Sequence, residues 1–386
     1  MERTMSSKER ILAAIRHEPT DHLPICFEGI CHGAPRFLVE AFPDPFERAR
    51  YYLEGEIDTA VTYSPPSISG RGYEARQWTD QPAGERHPVL HKEYRTAAGS
   101  LWQVVRKTDD YPDDVSLFSD HNVPPGRSKT YLVSGEKDLA ALECILLPPG
   151  DAELAVYFEQ ARQVRAFCDR HGLLLATYAP GVGDPLIWLS GVENVLLAAI
   201  ERPSFLQRYV DIIARWNRRL LEFAIEAGCD HVVRRGWYES TDFWSPGLYR
   251  RFLLEPLKTE VGIAHEAGLT FDYVMNSGTM PLLPYFAEAK IDMLSNLDPL
   301  TPGTDLRAMK ASLGQAVALC GGVNNSHVLE MGTEQEVRDA VTEAARILAP
   351  GGGYVMAPGD ALGYVRVTDT VRRNFEVMVD TWRGIR

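Results

Sequence analysis

Arg234 and Arg235 stand side by side at the end of an apolar run, with Trp237 and Glu239 directly behind them. Neighbours on an extended chain point to opposite faces. One guanidinium is therefore expected to face a ligand and the other to meet an acid in the packing. The planar fork of arginine donors suits a substrate carboxylate. Asp360 follows Ala357-Pro358-Gly359 near the end of the chain, where burial would raise its pKa toward acid/base work. Glu239 is the second candidate for moving a proton. Glu28, His32, Tyr178, Asn276 and Asn324 complete the set as binding residues, with Arg235 and Trp237, because each falls at or just after the end of an apolar run. Plainer readings stand beside these. Glu28 and Glu239 could be solvated loop carboxylates, and Phe243 and Trp244 could pack helices rather than wall a flat ligand. The set holds no nucleophile with an evident base and no glycine loop for phosphate. Cys26-x4-Cys31-His32 matches no standard zinc spacing, so no metal is expected there.

Residues of this kind need a frame that brings distant chain positions together. Apolar β-type runs occur at 23–28, 57–63, 173–178, 231–235, 269–274, 291–296, 316–321 and 353–357. Several are nearly continuous in apolar residues, as for parallel strands covered on both faces. Helical segments separate most of them. One runs from 190 to 227 and is divided by Pro203. One starts at Ser245-Pro246 and ends at Gly268, and one opens on the capping-box spacing Thr333-x-x-Glu336. The alternation predicts a (β/α)8 TIM barrel, which collects the chemistry at the carboxyl ends of its strands. Residues 64–150 break the pattern and predict a β-hairpin inserted after strand 2, around Ala97-Ala98-Gly99, lying over the mouth. The expectation is a single domain over residues 1–386.

With a net charge of −13 and no run of Lys or Arg, the chain lacks the basic face that nucleic acid or an anionic membrane requires. A small-molecule substrate is expected instead. The polar N-terminus has no apolar signal core, and no apolar stretch approaches the ~20 residues that span a bilayer. The six cysteines are scattered and read as reduced thiols, so the expected location is cytoplasmic.

The opening SSKERILAAIRHEPTDHLPI resembles the amino terminus of the uroporphyrinogen decarboxylase superfamily. So do GVENVLLAAIERPSFLQRYVDII, SPGLYRRFLLEPLKTEVGIAHEAG, GGVNNSHVLEMGTEQEVRDAV, GGGYVMAPGD and VRRNFEVMVDTWR, in the same order. The resemblance implies a (β/α)8 barrel and one of two activities, porphyrinogen decarboxylation or corrinoid-linked methyl transfer. Decarboxylases are similar to one another in an arginine-rich segment after the first strand. Here that place reads FEGICHGAPRF, with Arg36 as its single cation. The thiol-methylating branch carries zinc through His-x-Cys after the fifth strand and Cys after the eighth. Here those positions read Met275-Asn276-Ser277 and Asp360. A Glu-Glu-His zinc set would find Glu239 and Glu255, but Met275 or Asn276 where the histidine belongs. RTAAGSLWQVV is similar to methyltransferase-type members.

The expectation is a corrinoid-linked, methyltransferase-like enzyme for a small methylated or carboxylated compound, without the thiol-activating zinc. Asp360 or Glu239 would protonate the leaving heteroatom while Arg235, Asn276 and Asn324 orient the substrate. No cofactor is expected to bind tightly; methylcobalamin would be a co-substrate, and a corrinoid protein the partner. The alternatives are a decarboxylase, and a non-catalytic barrel that binds a corrinoid or tetrapyrrole.

Overall fold

The computed structural model describes residues 4–31, 33–364 and 366–386. Its strands are β1 (Ala60–Thr62), β2 (Tyr73–Asp80), β3 (Val89–Thr96), β4 (Gly99–Arg106), β5 (Ser128–Thr130), β6 (Leu174–Ala179), β7 (His231–Arg235), β8 (Thr270–Val274), β9 (Met293–Leu297), β10 (Ala318–Val323) and β11 (Tyr354–Pro358). Seven of these make one sheet in the order β1-β6-β7-β8-β9-β10-β11. Every pairing in it is parallel. Strands β8, β9, β10 and β11 are buried throughout, which explains their unbroken apolar runs.

The expected strand at 23–28 does not form as one. Ile25 makes a single parallel bridge to Met356 and Cys26 one to Asp58, so the sheet curls until both its edges flank this segment. Pro24 has no N–H to give to a ladder, and Gly29, at φ +98°, turns the chain away directly after Glu28. The other seven expected runs match strands, with ends displaced by up to a few residues. Alternation divides the core in two. Cys26, Ala176, Val233, Val274, Met293, Cys320 and Val355 pack inside the curl with Ile11, Ala14 and Ile15 of the first helix, Ser7–Ile15. The opposite faces pack against the helices.

Those helices form largely where their caps predict. Thr333 and Glu336 bond reciprocally at the start of Glu334–Leu348, and Pro203 separates Val192–Glu201 from Pro203–Glu226. Ser245 Oγ caps Pro246–Phe252, but the chain breaks at Leu253 before continuing as Leu254–Glu266. No single helix is long and apolar enough to cross a membrane.

Between β1 and β6 lies more than a hairpin. β3 and β4 pair antiparallel around residues 97–98, and β2 and β5 extend them to a four-stranded sheet, β2-β3-β4-β5. The alternation of buried and exposed residues that signals a strand is absent from β2, whose sequence YEARQWTD is exposed along almost its whole length. Asp120, further along this insertion, accepts hydrogen bonds from Trp188 Nε1 at 2.7 Å and Tyr238 Oη at 2.8 Å. The insertion thereby reaches residues that follow β6 and β7.

At the amino end of the first helix, buried Arg10 donates through Nη1 to Asp58 Oδ1 at 2.5 Å and through Nε to Asp21 Oδ1 at 2.6 Å. Asp58 is 1% exposed. Removing one partner of a buried pair strands the other charge. Arg10→Met should therefore destabilise the fold by about 3–5 kcal/mol in urea denaturation at pH 7. Adding Asp58→Asn to that variant should recover part of the loss.

Candidate active site

Alternation sends the arginine pair of β7 in opposite directions. Arg234 is fully buried on the helix side. Its Nε donates to Glu260 Oε2 at 2.8 Å and its Nη1 to Glu239 Oε2. Tyr273 Oη donates to the same Glu239 oxygen, while Glu239 Oε1 accepts the N–H groups of Val182 at 3.0 Å and Gly183 at 2.7 Å. A Cβ at residue 183 would stand 2.4 Å from Glu239 Cγ, so only glycine permits this approach. Burial opposes the Arg234 charge, but Glu239 and Glu260 outweigh it and hold the pKa well above the ordinary arginine value.

Arg235 takes the opposite face. Its Cζ lies 4.7 Å from the ring centroid of Trp237, 5.8 Å from that of Trp188 and 5.9 Å from that of Tyr178. These are cation–π distances. Among the described residues no carboxylate pairs with it and its side chain makes no hydrogen bond. It is partly exposed. Beside it, Trp237 Nε1 is a buried donor without a partner.

Asp184 lies in the first turn of helix Gly183–Ser190, four residues before Trp188, and so on the same helix face. It is fully buried; Oδ1 accepts the Tyr238 N–H at 2.8 Å and Oδ2 has no partner. Burial, then the Glu239 charge, push its pKa up to about 8, against the opposing pull of the Tyr238 N–H and then of Arg235 and Arg234. Burial also raises the Tyr178 phenol. At the ends of β8 and β9, Asn296 Nδ2 donates to Asn276 Oδ1 at 2.8 Å. Asn296 is 1% exposed, holds φ +65° and leaves its own Oδ1 unpartnered. Deeper inside the curl, Asp272 accepts from Ser295 Oγ at 2.7 Å and burial raises its pKa well above the carboxylate range. His231, also fully buried, is lowered by burial to about 4 and is neutral at pH 7.

Of the residues singled out from sequence, Tyr178, Arg235 and Trp237 come together, and Asn276 joins the rim through Asn296. Several others are placed differently. Asp360 is exposed and caps its own loop, its Oδ1 accepting the Ala361 N–H at 2.7 Å. The β11 ladder ends with the Gly359 N–H on Val323 O, so Asp360 lies beyond the sheet and is not buried. Glu239 is 0% exposed with both oxygens engaged, which removes it from contact with a substrate. Glu28 is tied to Arg48, 2.8 Å from Nη2. Asn324 caps the turn that follows it, accepting from the His327 N–H at 2.7 Å and donating to Asp298. His32 lies outside the described residues. Glu255 pairs with Lys258 on an exposed helix face whereas Glu239 is buried, and among the described residues no group of three His, Cys, Asp or Glu side chains could hold a metal ion. The thiol-type zinc positions hold Met275, Asn276, Ser277 and Asp360, which do not fit that metal. Asp184 follows the same apolar run as Tyr178 and so falls among the positions expected at the strand ends, but sequence reasoning gave it no role, and it did not single out Trp188. The available signal was an acid four residues before a tryptophan in the otherwise apolar DPLIWL.

The sequence pattern of the uroporphyrinogen decarboxylase (URO-D) family matches residues 186–384. The chain belongs to this family. A methyltransferase from Methanosarcina mazei shares its fold, with a TM-score of 0.63 and 18% identity over 98% of this chain and 99% of that one. A B12-independent methionine synthase from Shewanella sp. W3-18-1 aligns over 59% of this chain and 66% of that one, at 12% identity and a TM-score of 0.42. No curated protein matches the sequence.

Glu239→Ala would take one of its two carboxylate partners from Arg234 and leave two backbone N–H groups and the Tyr273 hydroxyl without their acceptor. We expect a loss of about 3–5 kcal/mol in chemical denaturation. Asp360→Asn should change stability by less than about 0.5 kcal/mol.

Proposed function

We propose that this URO-D family member is a methyltransferase-type enzyme for a small molecule carrying a carboxylate, with Arg235 as the anchor for that group. The observation that carries the reading is the Arg235 guanidinium, walled by three aromatic rings and lacking any carboxylate partner among the described residues. A charge in that position is costly unless something pairs with it, and a planar carboxylate fits the fork of donors. Trp237 Nε1, an unpartnered donor, is suited to the same anion. Asn276 and Asn296 offer amide groups at the neighbouring strand ends. We take the Ile25–Cys26 segment as the eighth member of a closed (β/α)8 barrel, which puts all these groups at its carboxyl-end mouth. The antiparallel insertion then stands beside that mouth through Asp120.

In this reading Arg235 binds and orients the substrate, and Trp188, Trp237 and Tyr178 exclude water around the ion contact, which strengthens it. A methylated corrinoid, carried by a separate protein of the cytoplasm, is the co-substrate that exchanges the methyl group; among the described residues no group of three His, Cys, Asp or Glu side chains could hold a metal ion. The exposed Asp360 and enclosed Glu239 are not placed to protonate a leaving heteroatom, so the acid expected of them has to come from elsewhere. Decarboxylation of a small acid is the second reading, favoured by the same free guanidinium. One cation is too few for a porphyrinogen with its many carboxylates.

The test mixes the purified protein with methylcobalamin and candidate methoxy or N-methyl carboxylic acids, followed by the visible corrinoid spectrum and by CO2 release. Methyl exchange supports the first reading and CO2 release alone the second. In either case Arg235→Gln should raise KM by about tenfold or more, the size of a lost charge-assisted hydrogen bond. A KM unchanged by that substitution removes Arg235 from the site.

A further inference from the structure

A free arginine beside a buried carboxyl is an unstable arrangement unless something keeps the two apart. Asp184 has no cation partner among the described residues, one hydrogen bond on Oδ1 and none on Oδ2. A carboxylate so enclosed and so sparsely bonded is costly. The charged and titratable groups around it are Glu239, Arg235, Arg234 and Tyr238 of β7 and the loop behind it. Glu239 repels a charge on Asp184, and Arg234 is already held by Glu239 and Glu260. Arg235 is therefore the one cation in this set not yet bound to a carboxylate. Trp188, on the Asp184 face of its helix, also faces Arg235, which places Asp184 on that side. The Tyr238 backbone that holds Asp184 is itself tied to the insertion, through the Tyr238 hydroxyl on Asp120.

We propose that Asp184 is a positioning residue for Arg235: as a carboxylic acid it leaves the guanidinium free for the carboxylate of a substrate, and as a carboxylate it takes Arg235 for itself. This rests on the reading of Arg235 as a carboxylate anchor. The sign follows from the raised pKa of about 8. The folded protein holds the Asp184 proton between the unfolded carboxyl range and about pH 8, so ionisation of Asp184 weakens the fold as pH rises through that window. Above it, the carboxylate competes with substrate, and apparent affinity falls with the fraction still protonated.

Two measurements on the full-length protein separate this proposal from the reading beneath it. In the first, urea stability is followed from pH 5 to 9 without ligand. Asp184→Asn keeps the acceptor for Tyr238 but carries no titrating proton, so its stability relative to wild type should increase with pH. Arg235→Gln should move the wild-type midpoint to higher pH, because the opposing charge is gone. In the second, benzoate is titrated by calorimetry. Wild type should bind about tenfold more weakly at pH 9 than at pH 7, and Asp184→Asn should bind equally at both. Equal pH dependence in wild type and Asp184→Asn, in either measurement, overturns the proposal. Benzoate that fails to bind wild type at pH 6.5 overturns the anchor reading and the competition with it, whereas the stability arm alone still reports whether Asp184 and Arg235 interact.

Discussion

The buried ion network of Arg234 is the constraint on which the site depends. One guanidinium, with no exposure, joins β7 to the loop behind it through Glu239 and to helix Leu254–Glu266 through Glu260. Glu239 in turn holds the backbone that starts helix Gly183–Ser190 and takes the Tyr273 hydroxyl from β8. Asn217 Nδ2 donates to the other Glu260 oxygen at 2.5 Å, which ties in helix Pro203–Glu226. Such a network is costly to desolvate and gains little net stability over an apolar equivalent. Its value here is register. It fixes the helix that carries Asp184 and Trp188, and the loop that carries Trp237 and Tyr238, around the neighbouring arginine.

That neighbour gains its character from strand geometry alone. Period-two alternation makes it impossible for Arg235 to share the acids that neutralise Arg234. The rings of Trp237, Trp188 and Tyr178 stabilise the charge partially without neutralising it. Among the described residues no carboxylate completes the neutralisation, and that is the basis on which Arg235 is proposed as a binding determinant. Asn296, at a positive φ and with its Oδ1 unpartnered, is a second local cost at the same end of the sheet, where strained residues cluster around sites.

Much of the architecture was legible because it rests on local patterns. Continuous apolar runs marked seven parallel strands, and Thr333-Glu336 and Pro203 marked helix boundaries through capping and a missing N–H. The opposite orientation of Arg234 and Arg235 also follows from the sequence. The rest depends on tertiary partners that no local pattern carries. β2 has no buried face to show, and the 23–28 run is halted by Pro24 and Gly29. Glu239 and Asn324 stand at positions that read as functional, yet each is occupied by structure: Glu239 by Arg234, Asn324 by the backbone it caps. Asp360 falls one residue past the last ladder bond and faces outward. Asp184 falls just past the run that ends at Tyr178, but its enclosure by the Tyr238 loop, with one hydrogen bond on Oδ1 and none on Oδ2, is tertiary and has no local signature.

The central claim is that Arg235 and the Trp237 indole N–H bind a carboxylate between aromatic walls. It is tested most directly by titrating benzoate into protein labelled with 15N at its tryptophan indoles, with the Trp237 signal assigned from Trp237→Phe. The account predicts that the Trp237 N–H resonance moves to lower field, and Trp188 shifts with it, while the insertion residues Trp78 and Trp102 stay fixed. It also predicts no such movement with benzamide or in Arg235→Gln. Equal shifts with benzoate and benzamide, or shifts that persist without Arg235, would contradict it.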